Sequence, residues 1–371
     1  MYQLLIHDPR NEISTANLGS IKVTITRDDH ALISALCLRE WDAIVTFGEG
    51  NWSTLNAQPY FTRRRWVHLP SKPDDAALIE TCKNCYWGYT RPGTYKIPFV
   101  SITTPVHNAA AFILETARTV QAQTWTNFEW VVVDDGSSDA SVAMLEALRD
   151  PRIRIFKMQP IGRIGYLKNL ACSLARGDYL VELDHDDFLL PHALETIVKA
   201  FQTSPDAGMV YSNCAEWYAG TTEFNVYNVP YWTYRDTPWN GLIAKESLQH
   251  DAMGMYSFDG NTVPVMDAMN VCPNHVRAFR AETLRKIGGY RDLVWADDYD
   301  VMIRMFLECR IHHIPELLYV QRMGTNTWVG NAKLLWPCFG EIRSHYAERL
   351  EARYRELGLQ RIWATPPAAS R

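Results

Sequence analysis

The chain has 371 residues, 47% of them hydrophobic and 21% charged, with a formal net charge of -5. That is apolar material for one large or two modest cores, and it excludes a disordered or fibrous protein; the charge gives no global pull toward nucleic acid, which a local basic patch such as Arg63-Arg64-Arg65 leaves open as a partner, and the oligomeric state is open too. No apolar run reaches the roughly 20 residues of a transmembrane helix and no basic-then-apolar leader opens the chain, so a cytoplasmic protein is expected, with at most peripheral membrane contact.

Residues 1–95 carry the pattern of a small α/β unit. Residues 20–26 alternate as a strand should, Asp28 and Asp29 are placed to cap a helix over 30–40, and residues 42–48 and 65–69 read as further strands. With neither G-x-G-x-x-G nor a P-loop, no cofactor is assigned to the unit and its role stays open between packing and partner binding. Arg63-Arg64-Arg65 reads as a solvated face. Cys82-Lys83-Asn84-Cys85 is the one close pair among eight cysteines; no second pair completes a zinc site, and the spacing shows no disulfide rhythm.

Residues 89–98 are rich in turn formers and read as a linker. Beyond it strands (about 99–104, 129–134, 152–157 and 178–183) alternate with helices (about 109–123, 139–149 and 164–175). This spacing predicts an α/β domain with a Rossmann-like, mostly parallel sheet, helices on both faces and ligands at the carboxyl ends of the strands. Residues 213–272 have weak periodicity but many aromatics, among them Trp217, Tyr218, Tyr227, Tyr231, Trp232, Tyr234 and Trp239, which suit a lid, a substrate wall or an aromatic satellite core. A charged helix is expected over 340–357, with Glu351 and Arg355 at i,i+4 spacing and Gly358 as its stop. The expected organisation is 1–95, 96–330 and a helical extension over 331–371.

Three acidic turns fall at strand ends or helix starts: Asp134-Asp135-Gly136-Ser137-Ser138-Asp139, Asp184-His185-Asp186-Asp187 and Asp297-Asp298-Tyr299-Asp300. Crowded carboxylates repel unless something positive sits among them, and hard oxygen ligands suit Mg²⁺ or Mn²⁺ shared with a diphosphate. A strand-end Asp can accept the N3–H of uracil or the corresponding edge of guanine, and Gly136 lets the chain turn closely there. Ser137, Ser138 and Asp139 can also serve as an Asx-turn and helix cap. Aspartates in the first turn of a helix at 297–300 are favoured by its dipole whatever their task.

Taken in order, Thr104-Pro105-Val106-His107-Asn108, the 134–139 turn, Lys168-Asn169 with Ala175-Arg176-Gly177, the 184–187 cluster, Gly288-Gly289-Tyr290 and the 297–300 element resemble the family 2 glycosyltransferases over about residues 99–328. The resemblance implies a GT-A fold, a nucleoside-diphosphate sugar donor (UDP-linked above all), a glycan or other hydroxyl acceptor, and Mn²⁺ or Mg²⁺. It implies a single displacement that inverts the anomeric centre. Carried over residue by residue, it puts Pro105, His107, Asn108, Asp134, Asp135, Lys168, Asp184 and Asp186 at the donor, Asp186 and Asp187 at the metal, Trp295, Asp297 and Arg322 at the acceptor side, and Asp298 as general base.

The chain departs from the family pattern at several of these positions. His107 stands where Tyr is common, Lys168 where Arg is usual, and Asp297 where Glu is common. Gly324 takes the place of a His after the closing strand that ends near Arg322, leaving His275, His312 or His313 as substitutes. No Q-x-x-R-W element is present, which favours single addition over processive synthesis. A sugar-nucleotide nucleotidyltransferase would want a Gly-rich basic loop after the first strand, an NAD-type oxidoreductase a Gly-rich dinucleotide turn, and a non-catalytic nucleotide-sugar or carbohydrate-binding module need not keep all three acidic elements.

Overall fold

The computed structural model describes residues 95–218, 233–258, 260–268, 273–324 and 327–363, and in the N-terminal part residues 2–10, 12–13, 21–28, 31–32, 35, 43–48, 66–69 and 71–79. Most of the helix expected over 30–40, Arg63 to Arg65, the Cys82 and Cys85 pair, residues 89–94, Tyr227, Tyr231 and Trp232 lie outside the described residues. The chain divides into two compact units, Met1–Phe99 and Val100–Arg371.

In the first unit β1 (Tyr2–His7), β2 (Ile21–Thr26), β3 (Ala43–Phe47), β4 (Trp66–Leu69) and β5 (Tyr95–Lys96) form one sheet in the order β2-β1-β3-β4-β5. All neighbours pair in parallel except the short edge strand β5. β1 lies between β2 and β3 and was not among the expected strands. Its Leu4, Leu5 and Ile6 are buried on both faces, so it shows an unbroken apolar run rather than the alternation that marks a half-exposed strand.

The second unit follows the predicted alternation. β6 (Val100–Val106), α1 (Ile113–Gln121), β7 (Phe128–Asp134), α2 (Ser141–Ala147), β8 (Ile153–Lys157), α3 (Ile164–Leu174) and β9 (Tyr179–Glu182) come first. Then follow β10 (Phe188–Leu189), α4 (Ala193–Thr203), β11 (Ala207–Tyr218), β12 (Thr233–Trp239), β13 (Leu242–Leu248), β14 (Met255–Phe258), β15 (Asn261–Pro264) and α5 (Val265–Ala268). β16 (Arg277–Arg280), α6 (Ala281–Lys286), α7 (Asp297–Glu308), β17 (Arg310–Met323) and α8 (Thr327–Glu356) complete it.

The large sheet has the order β10-β17-β11-β16-β9-β6-β7-β8, with β13 and β12 added beside β11. β6, β7, β8, β9, β11 and β17 run one way; β10 and β16 run against them. Helices cover both faces, as the alternation requires. Ile102, Trp130 and Val132 pack with Ile113 of α1 and Ile197 of α4, while Val131 and Val133 pack with Leu167 of α3 and Met302 of α7.

Two local outcomes differ from expectation. α8 starts at Thr327 and runs through Pro337, well before residue 340. Proline removes one backbone bond, but Leu335 and Phe339 on either side of it are buried in the core, and that packing offsets the loss. Glu351 pairs with Arg361 instead of Arg355. Gly358 does end the helix: at φ +71° it lets its own N–H reach Arg355 O at 3.2 Å and Leu359 N reach Tyr354 O at 2.8 Å, the two bonds of a Schellman stop.

Candidate active site

The site is assembled where β6, β7 and β9 finish side by side, at Val106, Asp134 and Glu182, with Val106 opposite Asp134 and Thr103 opposite Glu182. β16 runs the other way, so its first residue, Arg277, arrives at the same edge. The N-terminus of α7 delivers Asp297 and Asp298 there, following Ala296 in the left-handed region at φ +59°.

On the β7 side the acidic turn is tightly organised. Asp135 is buried, and its two carboxylate oxygens accept the N–H groups of Ile161 at 2.7 Å and Gly162 at 2.8 Å. Gly136, at φ +68°, has no room for a Cβ, which would lie 2.5 Å from Pro160 Cγ. The glycine predicted for close approach to a ligand thus admits the 160–162 loop. Asp134 accepts the Ser137 N–H at 3.3 Å and Asp139 accepts Ser141 N–H and Ala110 N–H, whereas the Ser137 and Ser138 hydroxyls bond to Asn108 and do not cap α2. His107 donates from Nδ1 to Asp135 O at 2.9 Å, and its Nε2 lies 3.1 Å from Asn108 Nδ2. His107 and Asn108 are exposed while Pro105 is buried beneath them.

The DHDD cluster splits by burial. Asp184 and Asp186 are half-buried, whereas Asp187 is 2% exposed. Asp187 accepts Tyr319 Oη–H at 2.7 Å and Arg322 N–H at 2.7 Å, and burial beside the Asp186 and Asp184 charges pushes its carboxyl up. Asp187 thus anchors the turn from inside, and its expected role at the metal stays a proposal. Arg322, expected on the acceptor side, is likewise held inside the protein. Its Nε donates to Asp186 O at 3.0 Å, its second amino group pairs with Glu115 at 2.6 Å, and its guanidinium lies among the rings of Phe112, Phe188 and Trp217. Trp217 and Trp239 belong to that aromatic satellite core.

Between the DHDD turn and α7 lies a buried charge network. Arg277, 2% exposed, donates from Nε to Glu182 at 2.5 Å and from Nη1 to Asp298 at 3.3 Å, and Nη2 lies 3.3 Å from His275 Nε2. His275 Nε2 lies 3.8 Å from Asp184 Oδ2, and its ring stacks on Tyr319 at 4.7 Å. Lys168 Nζ stands 3.3 Å from Glu182 and 3.4 Å from Asp297. Asp184, His275, Arg277 and Asp298 therefore stand next to one another in that order, with hydrogen-bond distances from His275 onward.

Burial and neighbouring charge set the protonation states. Burial alone would raise Glu182, but the Arg277 and Lys168 charges hold it well below the usual carboxylate range. Burial works against the Lys168 cation too, and Asp297 and Glu182 overcome it. Burial, reinforced by Arg277, pushes His275 down to about 4, so its imidazole is neutral at pH 7. Burial lifts Asp297 to about 6 against the pull of Lys168, with Asp298 and Glu182 adding to the rise.

The site thus brings together Asp184, Asp297, Asp298 and Lys168 from the expected set; Lys168 is spent on Glu182 and Asp297. Trp295 is half-buried against the core under α7. His313 lies within β17 opposite Tyr211 of β11, the two rings stacked at 4.9 Å. Glu182, Arg277 and Tyr319 had been given no role. The sequence does carry a signal for Glu182, a lone acid in the otherwise apolar run Leu180-Val181-Glu182-Leu183; Arg277, which shares its strand with Arg280, is less distinct.

Among the described residues no three His, Cys, Asp or Glu side chains converge as a ready-made metal cage. The donor set that is present, the half-buried carboxylates of Asp184 and Asp186, fits a hard divalent cation that takes its remaining oxygens from phosphate and water. No helix among the described residues is long and apolar enough to cross a membrane.

Residues 101–261 match the family model described as Glycosyl transferase family 2. The O-antigen biosynthesis protein RfbC of Myxococcus xanthus is 29% identical over 62% of this chain and 16% of its own length. Chondroitin synthase of Pasteurella multocida is 27% identical over 64% of this chain and 22% of its own. The chain spans less than a quarter of the length of these relatives. Among solved structures, the mannosyltransferase PcManGT from Pyrobaculum calidifontis, in complex with GDP-Man and Mn²⁺, overlaps 71% of this chain and 68% of its own at 18% identity and a TM-score of 0.48. S. aureus TarS 1-349 in complex with UDP overlaps 61% of each chain at 17% identity and a TM-score of 0.46. The order of the motifs and the family model agree in likening residues 101–261 of this chain to glycosyl transferase family 2.

Proposed function

We propose that the chain transfers a sugar from a nucleoside-diphosphate donor, UDP-linked in the first instance, to an acceptor hydroxyl in one inverting displacement. The observation that supports this reading is the succession Asp184, His275, Arg277 and Asp298 along the carboxyl edge of the sheet, in which the proposed donor-side carboxylate and the proposed, half-exposed base flank the same buried pair. Asp135 and the exposed His107 and Asn108 stand where a base and ribose would be received, and each Asp135 oxygen keeps a lone pair beyond its loop bond.

Asp186, with Asp184 beside it, would hold Mn²⁺ or Mg²⁺, which supplies Lewis-acid stabilisation of the departing diphosphate when bound. Asp298 takes the acceptor proton as that oxygen attacks the anomeric carbon from the face opposite the leaving group. It is suited to this by being 36% exposed in its side chain while neighbouring Asp297 is 8% exposed. Relatives whose names refer to O-antigen and chondroitin support a glycan as the acceptor.

The test is a panel of UDP-glucose, UDP-galactose, UDP-N-acetylglucosamine, UDP-glucuronate and GDP-mannose, scored for hydrolysis and for thermal stabilisation with and without Mn²⁺. At least one donor should be turned over, with metal dependence. Asp298→Asn should lower turnover by about a hundredfold or more while leaving UDP affinity within twofold. Binding without turnover by the wild type would reject the enzyme reading in favour of a nucleotide-sugar-binding module.

A further inference from the structure

We infer that Arg277 is a positioning residue for Asp298, holding the carboxylate of the proposed base from a buried and already neutralised anchor. The inference rests on the base assignment above and extends it to a residue that does not touch substrate. Arg277 is the first residue of β16 and is 2% exposed, so its guanidinium cannot meet an acceptor; Asp298, whose side chain is 36% exposed, can.

The distances divide the work of the guanidinium. The closer bond, 2.5 Å, goes to Glu182, and the looser one, 3.3 Å, to Asp298. Glu182 therefore holds the guanidinium more closely, and Asp298 is oriented by its looser arm. Glu182 is itself fixed by Lys168, which also meets Asp297, so the anchor is tied to α3, β9 and α7 together. The groups facing Asp298 and its anchor are thus Arg277 and His275 around the start of β16, Glu182 at the end of β9, Asp184 in the turn after it, Lys168 from α3, Tyr290 before α7, and Asp297 and Met302 on α7 itself. A planar fork suits this task. It bridges two carboxylates in one plane, which the single ammonium of lysine cannot do with the same fixed angles.

Removing Arg277 alone would strand Glu182 as a buried charge with less compensation, and the protein could fail to fold for that reason. The test therefore uses Glu182→Gln with Arg277→Met, which removes both charges, and Arg277→Lys, which keeps the charge and loses the fork. Each is measured for kcat and KM in hydrolysis of the five panel donors, for UDP affinity by calorimetry, and for the Asp298 side chain by crystallography. Both variants should lose about tenfold to a hundredfold in kcat with KM and UDP affinity within twofold, and Asp298 should spread over more than one rotamer.

Full kcat in the double variant, full kcat in Arg277→Lys, or a loss confined to KM and UDP affinity would each overturn the inference. If the double variant does not fold, Arg277→Lys decides. If the wild type turns over none of the donors, the base assignment fails, and the Asp298 rotamers alone decide whether Arg277 fixes that carboxylate.

Discussion

Asp297 and Asp298 are adjacent in sequence and opposite in surroundings, and the difference gives a pH prediction. Burial raises Asp297 to about 6 in the folded protein from 3.8, so between those values the folded state holds a proton that the unfolded state has lost. Its contribution to stability is therefore present below pH 4 and declines as pH rises towards 6. Asp297→Asn has no such proton to lose. The stability of the variant relative to wild type should rise from pH 4 to pH 7 by roughly 1–3 kcal/mol, read from urea unfolding at each pH. A difference that stays flat over that range would mean that Asp297 remains ionised throughout, paired to Lys168. At this scale the sequence was partly legible. Asp184, Asp297 and Asp298 could be picked out because acids at strand ends stand out, but a side chain's burial is decided by what packs over it. Asp187 is sealed by Tyr319 and Arg322, both more than 130 residues away in sequence, and spacing alone could not separate it from Asp186.

The elements were more legible than the site, because the alternation of apolar runs directly records which faces are covered. β6, β7, β8, β9 and α3 fall within about two residues of expectation. Legible signals were also passed over. Asn240-Gly241, at φ +48° and +76°, joins β12 to β13 with Trp239 opposite Leu242, the two-residue hairpin that an Asn-Gly pair favours. Gly165 in the first turn of α3 shows how an element positions the site: a Cβ there would lie 2.2 Å from the Arg291 carbonyl oxygen, backbone that cannot step aside cheaply. Gly165→Ala should cost about 1–3 kcal/mol and displace the 291–295 segment that leads into Asp297 and Asp298, lowering kcat by about tenfold. Chemical unfolding and turnover in the same preparation check it; unchanged values in both would show that the segment is free to shift.

At the scale of the molecule, the two compact units have separate cores, and the family match lies wholly in the second. The first unit is a mostly parallel sheet without a phosphate loop among its described residues, and its role stays a proposal of packing or partner binding. The account as a whole depends on the donor ion and the base meeting at one sheet edge. Anomalous scattering from Mn²⁺ in crystals grown with UDP locates the ion without reference to turnover. The account predicts one strong peak at Asp184 and Asp186, with the nucleotide reaching Asp135 and Asp298 open to the same cavity. A peak elsewhere, or UDP bound away from the carboxyl ends of β6, β7 and β9, would contradict it.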